Sequence, residues 1–128
     1  MAGEDEQLPD VLPFYNSEGR AVCYLYRGEY FYLYDGSAVA WLHDGEHIYA
    51  YGGRYLGWFQ NGWIRNRRGN AVFFSRGSTG GPARPARDAR PARSARMARP
   101  ARAVRQARPA RPARTLSWSA LSSEEFFG

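Results

Sequence analysis

A chain of 128 residues with formal net charge +6 has room for one domain, and its single cysteine, Cys23, excludes an internal disulfide framework. The charge is uneven: residues 1–81 carry 7 Arg against 9 acids, residues 82–114 carry 11 Arg against Asp88 alone, and residues 115–128 carry only Glu124 and Glu125. The basic character therefore belongs to one segment and not to a domain surface, while 17 of the 20 aromatic residues lie between Phe14 and Phe74 and place the core there.

Residues 1–12 open the chain as an acidic stretch without the basic start and apolar run of a signal peptide, and no run reaches transmembrane length. They read as a disordered lead, and the cytoplasm is the expected compartment. From 13 to 78 the sequence repeats. Gly19, Gly36, Gly53 and Gly69 stand 17, 17 and 16 residues apart, each in a turn-like pair. Each leads into a similar strand: Ala21-Val22-Cys23-Tyr24, Ala38-Val39-Ala40-Trp41, Tyr55-Leu56-Gly57-Trp58 and Ala71-Val72-Phe73-Phe74. A second set, Gly28, Gly45, Gly62 and Gly77, marks the opposite turns, where Asp44-Gly45 and Asn61-Gly62 are pairs suited to type I′ hairpins. The strands entering the first set begin Phe14-Tyr15, Phe31-Tyr32, Ile48-Tyr49 and Ile64-Arg65.

Strict alternation puts Val22 with Tyr24, Val39 with Trp41, Leu56 with Trp58 and Val72 with Phe74 on one face, and Cys23, Ala40, Gly57 and Phe73 on the other. Both faces are apolar, which suits a ring better than a flat sheet with one wet side. The expected fold is all-β: a small pseudo-fourfold closed or shallow barrel of four hairpins, about eight short strands, with a disordered Arg-rich tail. Eight strands is the number at which side chains just fill the interior or leave room for one small ligand.

The stretches Tyr34-Asp35-Gly36 to Trp41-Leu42 and Gly53-Arg54-Tyr55-Leu56-Gly57-Trp58-Phe59 to Gly62-Trp63-Ile64 resemble the bacterial four-fold β-flower proteins, as does a Pro-Ala-Arg tail ending in Trp-Ser and Phe-Phe motifs. The resemblance implies a shallow fourfold barrel, and the likeness of that shape to Tubby-type domains implies lipid binding. Tyr30-Phe31-Tyr32-Leu33-Tyr34-Asp35-Gly36 and Gly57-Trp58-Phe59-Gln60-Asn61-Gly62 also resemble choline-binding hairpin repeats, which implies aromatic cages for quaternary ammonium groups. The shorter period and the stop after four copies weigh against that second resemblance.

His43-Asp44-Gly45-Glu46-His47 has the letters of an inverted zinc-protease pattern, but Asp44-Gly45 is a hairpin turn, so no helix gathers the histidines and they read as exposed turn-flanking residues. Cys23 occupies the slot of Ala40 and Gly57, which reads as packing. No paired carboxylates, phosphate loop or Ser-His-Asp order appears, so neither catalysis nor a cofactor or metal is expected. Tyr24, Trp41, Trp58 and Phe74 are the candidate lining of a pocket for a lipid or other slender amphiphile, with a packed core as the alternative.

Residues 79–114 read as a disordered linker. Within them arginine stands at every third position, Arg84, Arg87, Arg90, Arg93, Arg96, Arg99, Arg102, Arg105, Arg108, Arg111 and Arg114, and proline opens six triplets. Proline blocks a continuous helix and favours polyproline II, whose three-residue turn would align the guanidinium groups about 9 Å apart. Such an array suits phosphates, in nucleic acid or an acidic membrane surface. The chain holds 18 Arg and no Lys, however, which also fits a spacer with an arginine habit. Residues 115–128 restore apolar character with Trp118, Leu121, Phe126 and Phe127, a short docking motif. The whole reads as a non-catalytic binding or assembly module. Its ligand is an amphiphile held by the barrel or a polyanion held by the tail, and self-assembly into a homo-oligomer is the remaining possibility.

Overall fold

The computed structural model describes residues 8–128, so most of the expected acidic lead lies outside the described residues. Eight strands, β1 (Val11–Tyr15), β2 (Ala21–Tyr26), β3 (Tyr30–Leu33), β4 (Ala38–His43), β5 (His47–Tyr49), β6 (Tyr55–Gln60), β7 (Trp63–Asn66) and β8 (Ala71–Phe74), are followed by one short helix, α1 (Ser123–Phe127). The strands pair antiparallel in chain order and close into a barrel, with Tyr15 opposite Phe74 at the seam between β1 and β8. The expected closed barrel is the fold. The lead ends earlier than expected, because β1 begins at Val11.

The turn chemistry follows the sequence. Arg27-Gly28, Asp44-Gly45 and Asn61-Gly62 all adopt positive φ at both residues, the requirement of a type I′ turn. Asp44 and Asn61 are residues suited to that conformation, and Arg27, at the same repeat position, adopts it too. At the other end of the barrel, Asn16 and Asn66 fold their side-chain oxygens back onto backbone N–H groups of their own turns.

Strict alternation does not hold. Phe14 faces Cys23 but Tyr15 faces Ala21, so Val22 is an extra residue in β2, and the same shift leaves Val39, Leu56 and Val72 unpaired in β4, β6 and β8. Four bulges at repeat-equivalent positions turn these aliphatic residues inward. They join Phe14, Cys23, Leu25, Phe31, Ala40, Leu42, Ile48, Ile64 and Phe73 in one interior cluster. The aromatic two residues on, Tyr24 or its counterpart, stays outside. The pairing of Val22 with Tyr24 on one face is therefore corrected by the bulge.

The interior has no room for a larger residue where the chain uses glycine. A methyl group added at Gly57 would overlap the Arg65 carbonyl across the ladder between β6 and β7. The end of the barrel is closed by α1. Ser122 accepts a hydrogen bond from the Glu125 amide at 3.2 Å while Glu125 accepts one from the Ser122 amide at 3.0 Å, a reciprocal cap that nucleates a helix of only five residues. The cap aims Phe126 into the core, where it is 3 % exposed, with Phe73 at 5.8 Å from both Phe126 and Phe127.

Candidate functional site

The outer wall of the barrel carries a second aromatic layer, including Tyr15, Tyr24, Tyr26, Tyr30, Tyr32, Trp41, Tyr49 and Trp58. The free, disordered arm expected for residues 79–114 is not what the structure holds. Residues 82–114 run around this wall without helix or strand, as a belt whose contacts repeat in multiples of three, the turn of a polyproline II helix. The physical reason lies in the aromatic wall: left bare it would expose large rings to water, and it offers faces to which guanidinium groups are drawn.

The belt is keyed to the barrel through its backbone. Asp88, Met97, Gln106 and Thr115, nine residues apart, donate their N–H groups to the carbonyls of Gly19, Gly36, Gly53 and Gly69 at 2.7–3.1 Å. Ser94 and Ala103 likewise donate to Tyr34 and Tyr51 at 2.9 and 2.8 Å. These six are all the triplet-opening residues from 82 to 115 that are not proline. Proline stands where no donor is needed, and a residue with an N–H stands where the barrel offers a carbonyl.

The frame glycines serve this contact as well as the turn. The carbonyls of Ala86, Ala95, Val104 and Ala113 lie so close to Gly19, Gly36, Gly53 and Gly69 that a methyl group there would overlap them. Positive φ at all four adds a second reason for glycine. Seventeen residues of barrel thus match nine of belt, three triplets to each hairpin.

Side chains fill the register. Arg96 lies 3.8 Å over Tyr26, Arg99 3.8 Å over Tyr30, Arg102 3.9 Å over Trp41 and Arg111 4.7 Å over Trp58. Arg87 and Arg93 cover Tyr15 and Tyr24 at 5.7 and 5.5 Å, and Arg105 lies 5.9 Å from both Trp41 and Tyr49. The remaining four, Arg84, Arg90, Arg108 and Arg114, lie over no Phe, Tyr or Trp ring among the described residues; Arg84 instead donates to the Arg76 carbonyl at 3.1 Å. Arg102 also pairs with Glu29, and Arg111 pairs with Glu46 at 2.6 Å.

Tyr24, Trp41, Trp58 and Phe74, the candidate pocket lining, are not brought together around an axis. They are buried at separate points of the outer wall, the first three under belt arginines and Phe74 under Trp118 at 6.1 Å. The cations over these rings are the chain's own guanidinium groups. The docking motif meets the same molecule: Trp118 packs 5.5 Å from Trp63, and its backbone forms a parallel bridge with Ala71. Leu121 is largely exposed while Phe126 is buried.

The ends of the belt meet at Arg65, which occupies the place taken by Tyr15, Tyr32 and Tyr49 in the other hairpins. It is 1 % exposed and donates to the carbonyls of Gly69 and Thr115 at 2.7 Å each and of Gly80 at 3.3 Å. One guanidinium therefore joins the turn, the start of the belt and its finish. Burial, then the approach of Arg114, lowers its pKa from the ordinary arginine value. Sequence reading missed this residue; its signal was the one break in the apolar-then-tyrosine pattern, at Ile64-Arg65.

His43 and His47 face each other across the β4–β5 turn and are partly buried, not the fully exposed pair expected. Among the described residues no group of three His, Cys, Asp or Glu side chains could share an ion. Burial lowers the His47 pKa first and nearby Arg108 adds to it, against the opposing pull of Glu46. A folded state that favours neutral histidine loses stability as pH falls through the unfolded value, about 6.5. His47→Gln is expected to flatten the decline in melting temperature between pH 7.5 and pH 5 relative to the parent, as measured by calorimetry. Burial also pushes the Cys23 thiol well above its ordinary range, which disfavours the thiolate form.

No helix among the described residues is long and apolar enough to cross a membrane. The sequence model of a family described as 4-fold beta flower protein matches residues 12–127, a span that takes in barrel, belt and closing helix together. No curated protein and no solved structure matches the chain.

Proposed function

The chain belongs to the four-fold β-flower family, and from the arrangement of its arginine belt we propose that it is a non-catalytic binding module whose belt grips polyanions, nucleic acid strands above all, without reading their sequence. One observation carries the reading. Eleven arginines are held in a fixed ring against one belt acid, Asp88, and among the described residues only Arg102 and Arg111 are paired with a carboxylate. Stacking on a ring engages the flat face of a guanidinium, whereas its N–H donors lie in its plane. The stacked arginines without a carboxylate partner thus retain edges that suit phosphate oxygens.

A ring held in advance also avoids the ordering cost that a free arm would meet on binding. Binding of this kind releases condensed counterions, so affinity falls by about 0.7 logarithmic units per tenfold rise in salt for each phosphate neutralised on a single strand. Fluorescence anisotropy of a mixed-sequence single-stranded oligonucleotide, titrated at two salt concentrations, tests the reading. Arg84, Arg90, Arg108 and Arg114 are the positions to change to glutamine, because they lie over no ring and their loss leaves the stacking in place. The fourfold variant is expected to bind more weakly, with a salt slope shallower by up to about 3. Absence of binding by the parent chain at low salt, or binding indifferent to salt, would reject the proposal.

A further inference from the structure

The match of nine belt residues to one hairpin makes equivalent positions comparable. Arg99 lies 3.8 Å over Tyr30, and the positions nine residues to either side, Arg90 and Arg108, correspond to the barrel positions 17 residues to either side of Tyr30, which are Pro13 and His47. Neither offers a phenol face. Recesses lie between belt and barrel near both arginines.

The larger recess, about 750 Å³, is lined by Trp41, His43 and Tyr49 on the barrel and by belt residues 102–108, including Arg102, Arg105 and Arg108. Its volume falls in the range of clefts that hold small molecules, about 300–1,000 Å³. Trp41 and Tyr49 are buried already, at 4 % and 2 % exposed, so the accessible wall is polar and cationic. Among the described residues no carboxylate lines it. Of the lining residues Arg102 is paired with Glu29 and His43 lies 3.2 Å from Asp44, so that Arg105 and Arg108 are the lining arginines with no carboxylate partner among the described residues. Gln106 accepts a hydrogen bond from the Tyr55 amide through Oε1, which leaves its NH₂ group as a further donor. The counterpart recess near Arg90, about 660 Å³, includes Asp88 in its wall and suits an anion less.

We propose that the recess between the β4–β5 hairpin and belt residues 102–108 is a discrete site for a phosphate monoester or pyrophosphate group, held by the guanidinium groups of Arg105 and Arg108 with Arg102, Gln106 and His43 around it. Guanidinium forks match phosphate oxygens bidentately, and two of them lining one recess from successive turns of the belt offer a pair of forks that isolated surface arginines lack. The inference rests on the anion-binding reading above and adds to it a location and a chemical class. The group could arrive free or as the terminus of a nucleic acid strand.

Isothermal titration of the full chain with pyrophosphate, and with an oligonucleotide carrying or lacking a 5′-phosphate, tests the site. Arg105→Gln with Arg108→Gln is expected to weaken pyrophosphate binding at least tenfold, whereas Arg67→Gln with Arg68→Gln, the same loss of charge on the barrel, changes it less than threefold. If the first pair loosens the belt, Arg108→Lys alone keeps the charge, loses the fork and is expected to weaken pyrophosphate at least threefold. A tighter-binding 5′-phosphorylated strand identifies a strand end as the source, and equal binding by the two strands identifies the free group. Equal weakening by both double variants, or no pyrophosphate binding by the parent chain at millimolar concentration, overturns the site. Polymer binding without pyrophosphate binding removes this inference alone, whereas pyrophosphate binding without polymer binding removes only the broader reading.

Discussion

Arg65→Leu is expected to unfasten the belt and to cost about 3 kcal/mol of stability, the order of loss when charge-assisted hydrogen bonds go and buried carbonyls keep no donor. Leucine fills part of the space but leaves the carbonyls of Gly69, Thr115 and Gly80 unserved. Arg65→Lys keeps the charge and still fails, since one ammonium cannot spread its donors as the planar fork does. Chemical denaturation monitored by tryptophan fluorescence gives the stability. Trypsin gives the state of the belt, because it cleaves after arginine except before proline. The bonds open to it, Arg87-Asp88, Arg93-Ser94, Arg96-Met97, Arg102-Ala103, Arg105-Gln106 and Arg114-Thr115, are those whose amides are held by the barrel. They should resist cleavage in the parent chain and yield in both variants.

The second large effect is expected from a change that makes the tail more like itself. Met97→Pro with Gln106→Pro turns two irregular triplets into perfect Pro-Ala-Arg, which is harmless if the segment is a spacer. Here it removes the donors that meet Gly36 and Gly53 at 2.9 and 2.7 Å, and it puts a pyrrolidine carbon against each carbonyl. Two backbone hydrogen bonds lost at about 1 kcal/mol each raise the open fraction of the belt about 30-fold before the steric term is added. Cleavage at Arg93-Ser94 and Arg102-Ala103, which the substitutions leave intact as sites, should quicken by at least that factor while closing remains faster than cleavage. The barrel should survive, because its ladders and interior cluster do not involve the belt.

Much of the barrel could be read from residue spacing. Glycine intervals of 17, 17 and 16 fixed eight strands and their turns, and the slot shared by Cys23, Ala40 and Gly57 pointed inward as the packing requires. The bulges could not be read that way. A strand of Ala-Val-Cys-Tyr type looks the same with or without an extra residue, and only the partner strand decides where Val22 points. Tyr24, Trp41, Trp58 and Phe74, each one residue beyond the inward slot, stand by alternation on the outer wall and line no common pocket.

The belt was hidden for a different reason. Its triplet period was plain, but low complexity and proline suggest solvation when no docking surface is in view. The missing signal was the nine-residue spacing of Asp88, Met97, Gln106 and Thr115 within the triplets, which answers the barrel repeat and has no meaning for a free arm. The Ser-x-x-Glu signature of Ser122 and Glu125 announced α1 in the same quiet way. The cationic recess, where Arg108 meets no phenol ring, is a matter of register that emerges only once belt and barrel are aligned.

Amide hydrogen exchange of the intact chain, followed residue by residue, is the most direct check on the belt. Slow exchange is predicted at Asp88, Ser94, Met97, Ala103, Gln106 and Thr115, with fast exchange at the alanines and arginines between them. Uniformly fast exchange from residue 83 to residue 115, at the rates of an unstructured peptide, would contradict the account.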